Sequence, residues 1–356
     1  MKRLVLGIET SCDETGIALV EAHSAGSGQA LESVRAPKFK VLKNLVASQV
    51  KIHEPFGGVV PNLAKREHQK NLPILFKKIS GEEIIKKVDL ISVTVGPGLE
   101  PALWTGITFS KELSKKHKKP LVGANHLEGH LYSFLLPKKT TRREKLESRR
   151  IFPAVALIVS GGHTILLLVK DFKTWKKLGE TRDDAVGEAY DKVARLLRFP
   201  YPGGPQIEKL ALRQVQGKHP NGTIEFPRPM MHDKNYDFSF SGLKTSVLYY
   251  LRDHPKYSPT DVAASFQAAA IEVLVKKTMR AAIEFGVKSV LLSGGVAANK
   301  TLRTALKKVT SKTKLNFWVA DQKYNTDNAV MIAAAGYMTY LHKKKYPLRA
   351  NGNLEI

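Results

Sequence analysis

Leu4-Val-Leu-Gly-Ile-Glu-Thr10, then Ser11-Cys-Asp-Glu-Thr15, then Gly16-Ile-Ala-Leu-Val-Glu21: an apolar run, a short polar tip and a second apolar run. The pattern returns as Ala154-Val-Ala-Leu-Ile-Val159, Ser160-Gly-Gly-His-Thr164 and Ile165-Leu-Leu-Leu-Val-Lys170. Short, nearly continuous apolar runs read as strands covered on both faces, and each pair reads as a hairpin with a small polar loop at its tip. Two such hairpins in 356 residues predict a duplicated α/β domain rather than one large core.

Working outward, further strands are expected at Leu90–Val95, Pro120–Ala124 and Ser289–Ser293. Helices are expected at Pro61–Ile79, Leu103–Lys116, Asp184–Leu197, Thr260–Phe285, Asn299–Val309 and Asp327–His342. Strands alternating with helices give the α/β class, with mostly covered sheets. The expected division is an N-terminal α/β subdomain at 1–130 completed by a C-terminal helix at 327–345, a second α/β subdomain at 151–326, and a basic connection at 131–150. Within that connection, Lys138–Arg150 carries seven basic and two acidic residues. Ala22–Pro37, rich in small residues, reads as a long hairpin loop, and Gly217–Asp237 as an irregular insertion.

Bulk composition narrows the class. One cysteine, Cys12, excludes an intramolecular disulfide framework and suits a reducing cytosol. The apolar start reaches Glu9 too soon for a secretory signal. The longest apolar runs, 154–159 and 165–169, fall far short of the ~20 residues that span a bilayer, so no membrane is expected. The formal charge is +25, from 57 Lys and Arg against 32 Asp and Glu. Such a surface favours polyanions through counterion release, although lysine also solubilises.

The sharpest local motif is His126-Leu-Glu-Gly-His130. Histidines at i and i+4 share a helix face and can reach one metal ion. Such a pair also occurs for purely structural reasons. Glu128, two residues after the first histidine, lies about 200° around the helix and points away, unlike the base of zinc proteases. A third ligand is needed, and Asp327 in Asn325-Thr-Asp-Asn328 is a candidate. An aspartate opening a helix equally serves the helix dipole, with Thr326 as cap. Nitrogen and oxygen ligands suit Fe, Zn or Mn.

Three glycine loops follow expected strands: Val95-Gly-Pro-Gly98, Ser160-Gly-Gly-His163 and Ser293-Gly-Gly-Val-Ala-Ala-Asn299. Their N–H groups can hold phosphate or carboxylate. Neither a Walker A pattern nor GxGxxG is present, which disfavours P-loop and Rossmann readings. Asp183, Asp184, Glu188 and Asp191 cluster at a helix start, either as ordinary helix electrostatics or as acceptors for ribose hydroxyls. Tyr201-Pro-Gly-Gly-Pro-Gln-Ile-Glu208 reads as a rigid turn into a helix, open to close approach by a ligand.

Gly7–Thr15, His126–His130, Val159–Thr164, Asp184–Lys192, Tyr201–Pro205, Phe238–Lys244, Ser293–Asn299 and Thr326–Ala329 occur in one order along nearly the whole chain. Together they resemble the TsaD family (older names YgjD or Gcp) of tRNA N6-adenosine threonylcarbamoyltransferases. The resemblance implies an actin-like ATPase (ASKHA) fold of two duplicated α/β domains with a central cleft. It implies transfer of threonylcarbamoyl from threonylcarbamoyl-adenylate to N6 of adenosine 37 in tRNAs reading ANN codons, with AMP leaving. His126, His130 and Asp327 then match the metal ligands, with iron as the usual ion and Zn or Mn as alternatives. Ile158, Val159, Ser160, Gly161 and Gly162 match a substrate-binding loop. Asp191, Gly204, Glu208 and Asn299 match further substrate contacts; the family commonly has Asp where Glu208 stands. Asp13 and Glu14, at the first hairpin tip, are candidates to take the proton lost by the attacking amine. Expected partners are tRNA, TsaB, TsaE and a TsaC-type synthase supplying the donor, in the cytoplasm. The competing readings are a small-molecule kinase or ATPase of the same fold, a metalloprotease, and a non-catalytic nucleotide-dependent scaffold.

Overall fold

The computed structural model describes residues 2–23, 36–137, 151–215 and 224–356. The chain forms two compact units, Met1–Arg149 with Ala320–Ile356, and Arg150–Val319. Lys138–Arg150, most of the loop expected at 22–37 and the start of the 217–237 insertion lie outside the described residues. Ala22 and His23 belong to a strand, and 224–237 contains turns but no helix or strand.

The first unit holds β1 (Lys2–Glu9), β2 (Glu14–His23), β3 (Lys38–Ser48), β4 (Leu90–Gly96) and β5 (Leu121–Asn125) in the order β3-β2-β1-β4-β5. The first three run antiparallel, and β4 and β5 run parallel to β1. The second unit holds β6 (Ala154–Val159), β7 (Thr164–Val169), β8 (Trp175–Glu180), β9 (Ser289–Ser293) and β10 (Asn316–Val319). Their order, β8-β7-β6-β9-β10, and their strand senses repeat the first sheet. The architecture is therefore a duplicated α/β fold of the actin-like type.

Sequence reading finds the interior strands and misses three edges. β4 and β6 are buried at every position. By contrast β3, β8 and β10 are sheet edges. β3 carries Lys38, Lys40 and Lys43, the charged decoration that keeps an edge from pairing with another chain.

The helices longer than four residues are α1 (Pro61–Lys78), α2 (Glu100–His117), α3 (His126–Tyr132), α4 (Val186–Leu196), α5 (Gly203–Val215), α6 (Ser241–Asp253), α7 (Pro259–Glu284), α8 (Lys300–Lys312) and α9 (Ala329–Leu341) among the described residues. α1, α2 and α7 carry proline in the first turn, where its missing N–H has no intrahelical partner to lose. No helix of the described residues is long and apolar enough to cross a membrane.

α9 is apolar on all sides, with every residue from Ala329 to Thr339 buried, because it lies on the first sheet. Small residues permit the approach. A Cβ at Gly7 of β1 would fall 2.1 Å from the Ala329 carbonyl oxygen, and one at Gly336 of α9 would fall 2.0 Å from Ser92 Oγ. Ser92 Oγ donates to the Ile332 carbonyl across 2.7 Å. The helix also starts later than the sequence suggests. Asn328, not Thr326, is its cap, accepting from the Met331 N–H at 3.0 Å. Asp327 thus precedes the cap rather than lying in the first turn.

Candidate functional site

In the first unit, Asn125 closes β5 and its Oδ1 accepts from Leu127 N at 2.8 Å and Glu128 N at 3.3 Å. This cap starts α3 at His126 and sets His126 and His130 one turn apart, with rings edge-on and centroids 4.8 Å apart. Asp327, fixed by the seating of α9, brings one carboxylate oxygen to both rings. Oδ1 lies 3.5 Å from His126 Nε2 and 3.1 Å from His130 Nε2. Ligand atoms of the three residues all fall within 4.8 Å of one another.

The donor set fits a divalent metal. His130 is wholly buried, yet among the described residues neither ring nitrogen has a hydrogen-bond partner. Asp327 Oδ1 lies 3.1 Å from His130 Nε2, within ion-pair range. An unsatisfied buried polar group costs about 1–3 kcal/mol, and an ion held by two imidazoles and a carboxylate removes that cost.

His126 is oriented from behind. Its Nδ1 lies 3.2 Å from Glu9 Oε2 and 3.1 Å from Ser11 Oγ. Glu9, fully buried at the end of β1, also accepts from Thr94 Oγ1 at 2.7 Å and from Ser11 N at 2.5 Å. Burial pushes the Glu9 carboxyl up, but His126 outweighs it and the net shift is downward. Burial likewise opposes charge on His126, yet Asp327 and Glu9 lift it to about 9. Burial pulls His130 down.

The hairpin tip shares this field. Burial, then Asp13, then Asp327 raise the Glu14 carboxyl well above the usual range. Burial, Asp13 and Asp327 similarly raise the Cys12 thiol. The raised Glu14 and Cys12 both report the negative field of Asp13 and Asp327, which a cation would relieve. A buried polar network holds the tip in place: His68 Nδ1 meets Thr15 Oγ1 at 2.8 Å and Nε2 meets the Cys12 carbonyl at 2.9 Å. Gln49 N donates to the Asp13 carbonyl at 2.9 Å, and Gln49 Oε1 meets His53 Nε2 at 3.1 Å.

Glu128 faces elsewhere. Its Oε1 accepts from Tyr346 at 2.6 Å and from Lys344. It is not placed to serve as a protease base.

In the second unit, the β6–β7 tip is a tight turn. Ser160 N donates to the His163 carbonyl at 2.8 Å, and His163 N donates to Ser160 Oγ at 3.1 Å. Ile158 and Val159 are buried in β6, whereas a Cβ at Gly161 or Gly162 would meet nothing within 4 Å. α4 abuts this loop, since a Cβ at Gly187 would fall 2.5 Å from the Ser160 carbonyl oxygen. Gly204 is open, with nothing within 4 Å of an added Cβ.

The remaining residues named from the sequence hold helix starts. Asp191 Oδ1 accepts from Gly203 N of α5 at 2.7 Å. Glu208 Oε1 accepts from Lys300 N of α8 at 2.6 Å. Asn299 Oδ1 caps α8 through Leu302 N at 2.9 Å, while its Nδ2 donates to Gln267 at 2.8 Å. A cavity of about 290 Å³ beside them is lined by Pro205, Glu208, Lys209, Leu212, Arg213 and Lys300. Asp184 and Glu188 are paired with Lys192 at 2.7 and 2.9 Å. Asp183 gathers Ser239 Oγ, Ser241 Oγ, Phe240 N and Ser241 N at 2.5, 2.6, 2.8 and 3.2 Å, tying the start of α6 to the segment before α4.

Sequence reasoning missed Glu9, Ser11, Thr94, Gln49, His53 and His68. A usable signal existed only for Glu9, a carboxylate ending an otherwise apolar buried strand.

A sequence profile described as TsaD, tRNA N6-adenosine threonylcarbamoyltransferase, matches residues 40–334. Among curated proteins, the chain is 47% identical over 341 residues to the tRNA N6-adenosine threonylcarbamoyltransferase of Thermosipho africanus, covering 95% of this chain and 94% of that one. It is 45% identical over 342 residues to that of Fervidobacterium nodosum, covering 94% and 92%. Among solved structures, HypF of T. kodakarensis aligns with a TM-score of 0.58 at 16% identity, over 96% of this chain and 48% of that one. A phosphate- and nucleotide-bound full-length HypF aligns at 0.55 and 11%, over 98% and 47%. These two likenesses concern the fold alone.

Proposed function

The chain belongs to the TsaD family of tRNA N6-adenosine threonylcarbamoyltransferases, and from that premise we propose that it moves threonylcarbamoyl from threonylcarbamoyl-adenylate to N6 of adenosine 37 in tRNAs reading ANN codons, with metal assistance. The observation that carries the metal reading is the meeting of His126, His130 and Asp327 around an imidazole that has no hydrogen-bond partner among the described residues.

The N6 amine attacks the carbamoyl carbon, a C–N bond forms, the C–O bond to phosphate breaks and AMP leaves. The amine proton passes to a carboxylate. Glu14, its affinity for protons raised by burial, Asp13 and Asp327, is the candidate to receive it, with Asp13 beside it. His126, His130 and Asp327 would hold an iron ion (or Zn or Mn), which would supply Lewis-acid polarisation and a template for the donor.

In the second unit, the Ser160–Gly162 loop would hold the phosphate, its glycines letting the donor approach the backbone. Ile158 and Val159 fix that loop to the sheet. Asp191, Glu208 and Asn299 set the starts of α5 and α8, and Gly204 leaves the α5 start open to the adenylate. The surplus of positive charge serves tRNA docking, a role we extend to 138–150. TsaB, TsaE and a TsaC-type synthase are the proposed partners, in the cytoplasm.

The test is reconstitution with metal, partners, adenylate donor and tRNA, followed by nucleoside mass spectrometry. Threonylcarbamoyladenosine appearing only with this chain is the expected result. Its absence from the complete mixture refutes the proposal.

A further inference from the structure

The carboxylate at the end of β1 has a job in the ion site that none of the three ligand candidates performs. We propose that Glu9 is a positioning residue: its carboxylate holds the Nδ1–H of His126 and so presents His126 Nε2, as a nitrogen with a lone pair to give, toward His130 Nε2 and Asp327.

The accounting of donors and acceptors leads there. Glu9 Oε1 takes the Ser11 N–H at 2.5 Å, and Oε2 takes the Thr94 hydroxyl at 2.7 Å. Oε2 also lies 3.2 Å from His126 Nδ1. An ionised carboxylate only accepts, so a nitrogen bonded to it must carry the proton. That places a proton on Nδ1, so Nε2 is the nitrogen that gives up its proton when an ion binds. Nε2 is the atom on the side of Asp327, at 3.5 Å from Oδ1. A carboxylate buried to 0% exposure in an apolar strand is expensive unless several donors meet it, and here β1, β4 and α3 all contribute to the knot. Outer partners of this kind orient metal-bound histidines and strengthen them as ligands.

The inference rests on the metal reading above, so the experiment separates the two. Zn²⁺ affinity is measured by chelator competition for the wild type, Glu9→Gln and Thr94→Val. The ring Nδ1–H proton of His126 is followed by NMR in the Zn²⁺-loaded, histidine-labelled protein. Glutamine offers one acceptor oxygen where Ser11 N–H, Thr94 O–H and His126 Nδ1–H need two, and its amide faces one of them as a donor. We expect Glu9→Gln to weaken Zn²⁺ binding about 10–100-fold and to remove the low-field Nδ1–H signal. Thr94→Val loosens the same knot without touching the imidazole, and should keep that signal and bind within about threefold of wild type.

Equal losses in both variants would make Glu9 a merely structural residue and overturn the inference. So would a wild-type spectrum showing His126 protonated at Nε2 with the ion, a readout that needs no variant to fold. A wild type that binds no metal at all would instead refute the metal reading itself.

Discussion

Tyr346 donates its hydroxyl to Glu128 Oε1 across 2.6 Å, and Lys344 shares the same oxygen, so the glutamate between the two histidines is committed to the C-terminal segment. Glu128→Gln should therefore lower stability by about 1.5–3 kcal/mol, the range for hydrogen bonds to a charged group. Its Zn²⁺ affinity should stay within about twofold of wild type, because the side chain is not a ligand. Thermal unfolding and chelator competition on one preparation check both halves. A large loss of metal binding with stability intact would place Glu128 in the ion site.

Chelation should destabilise the protein through mass action. With free metal at 100 times its dissociation constant, the loaded state gains about 2.7 kcal/mol over the metal-free one. His130→Ala should abolish that difference, since it removes a ligand from a site that His126 and Asp327 alone hold poorly. Calorimetry with and without chelator on both proteins is the measurement. An unchanged chelator effect in His130→Ala would show that the stabilising ion sits elsewhere.

The duplicated frame was legible because interior strands are continuously apolar and bracketed by polar tips. β3, β8 and β10 were not: β3 and β8 are interrupted by lysines and β10 is only four residues long, so none offers a continuous apolar run. The histidine pair showed itself by spacing alone. Asp327 did not: its position before the Asn328 cap becomes clear only once α9 is seated on the sheet through Gly7 and Gly336. Glu9 meets partners 85 and 117 residues away, so no local window reveals its use.

Two glycines near the β6–β7 tip should respond differently to the same added methyl. At Gly187 it would fall 2.5 Å from the Ser160 carbonyl oxygen and 2.9 Å from Gly161 Cα, so the loop or the start of α4 must move. At Gly161 it meets nothing within 4 Å. Gly187→Ala should cost about 1–3 kcal/mol, as overpacking does. Gly161→Ala should stay within about 0.5 kcal/mol, as open surface changes do, while weakening binding of the adenylate if the donor lies against that backbone. Unfolding midpoints and donor-binding titrations separate the two effects. Equal stability losses would refute the packing account.

Lys277 gives the pH prediction. It lies almost wholly enclosed on α7, at 1% exposure, with its amine donating to the Asp237 carbonyl and, at 3.4 Å, to the Asn235 carbonyl. Burial first, then Arg280, push its pKa down, with Arg182 adding to them and Asp233 and Asp237 opposing; the result is about 8, against 10.5 for the ordinary amine. Below pH 8 the amine is charged in both folded and unfolded chains, so its unfavourable contribution is constant. Between about 8 and 10.5 the folded chain has released the proton while the unfolded chain keeps it. The unfolded state then binds more protons, and stability rises with pH across that window. Lys277→Met cannot titrate, so subtracting its unfolding free energy from that of wild type cancels the other groups. The difference should shift in favour of wild type from pH 8 to 10 and stay flat between pH 6 and 7. A flat difference throughout would mean that the buried amine keeps its proton, held by the two backbone carbonyls more strongly than burial expels it.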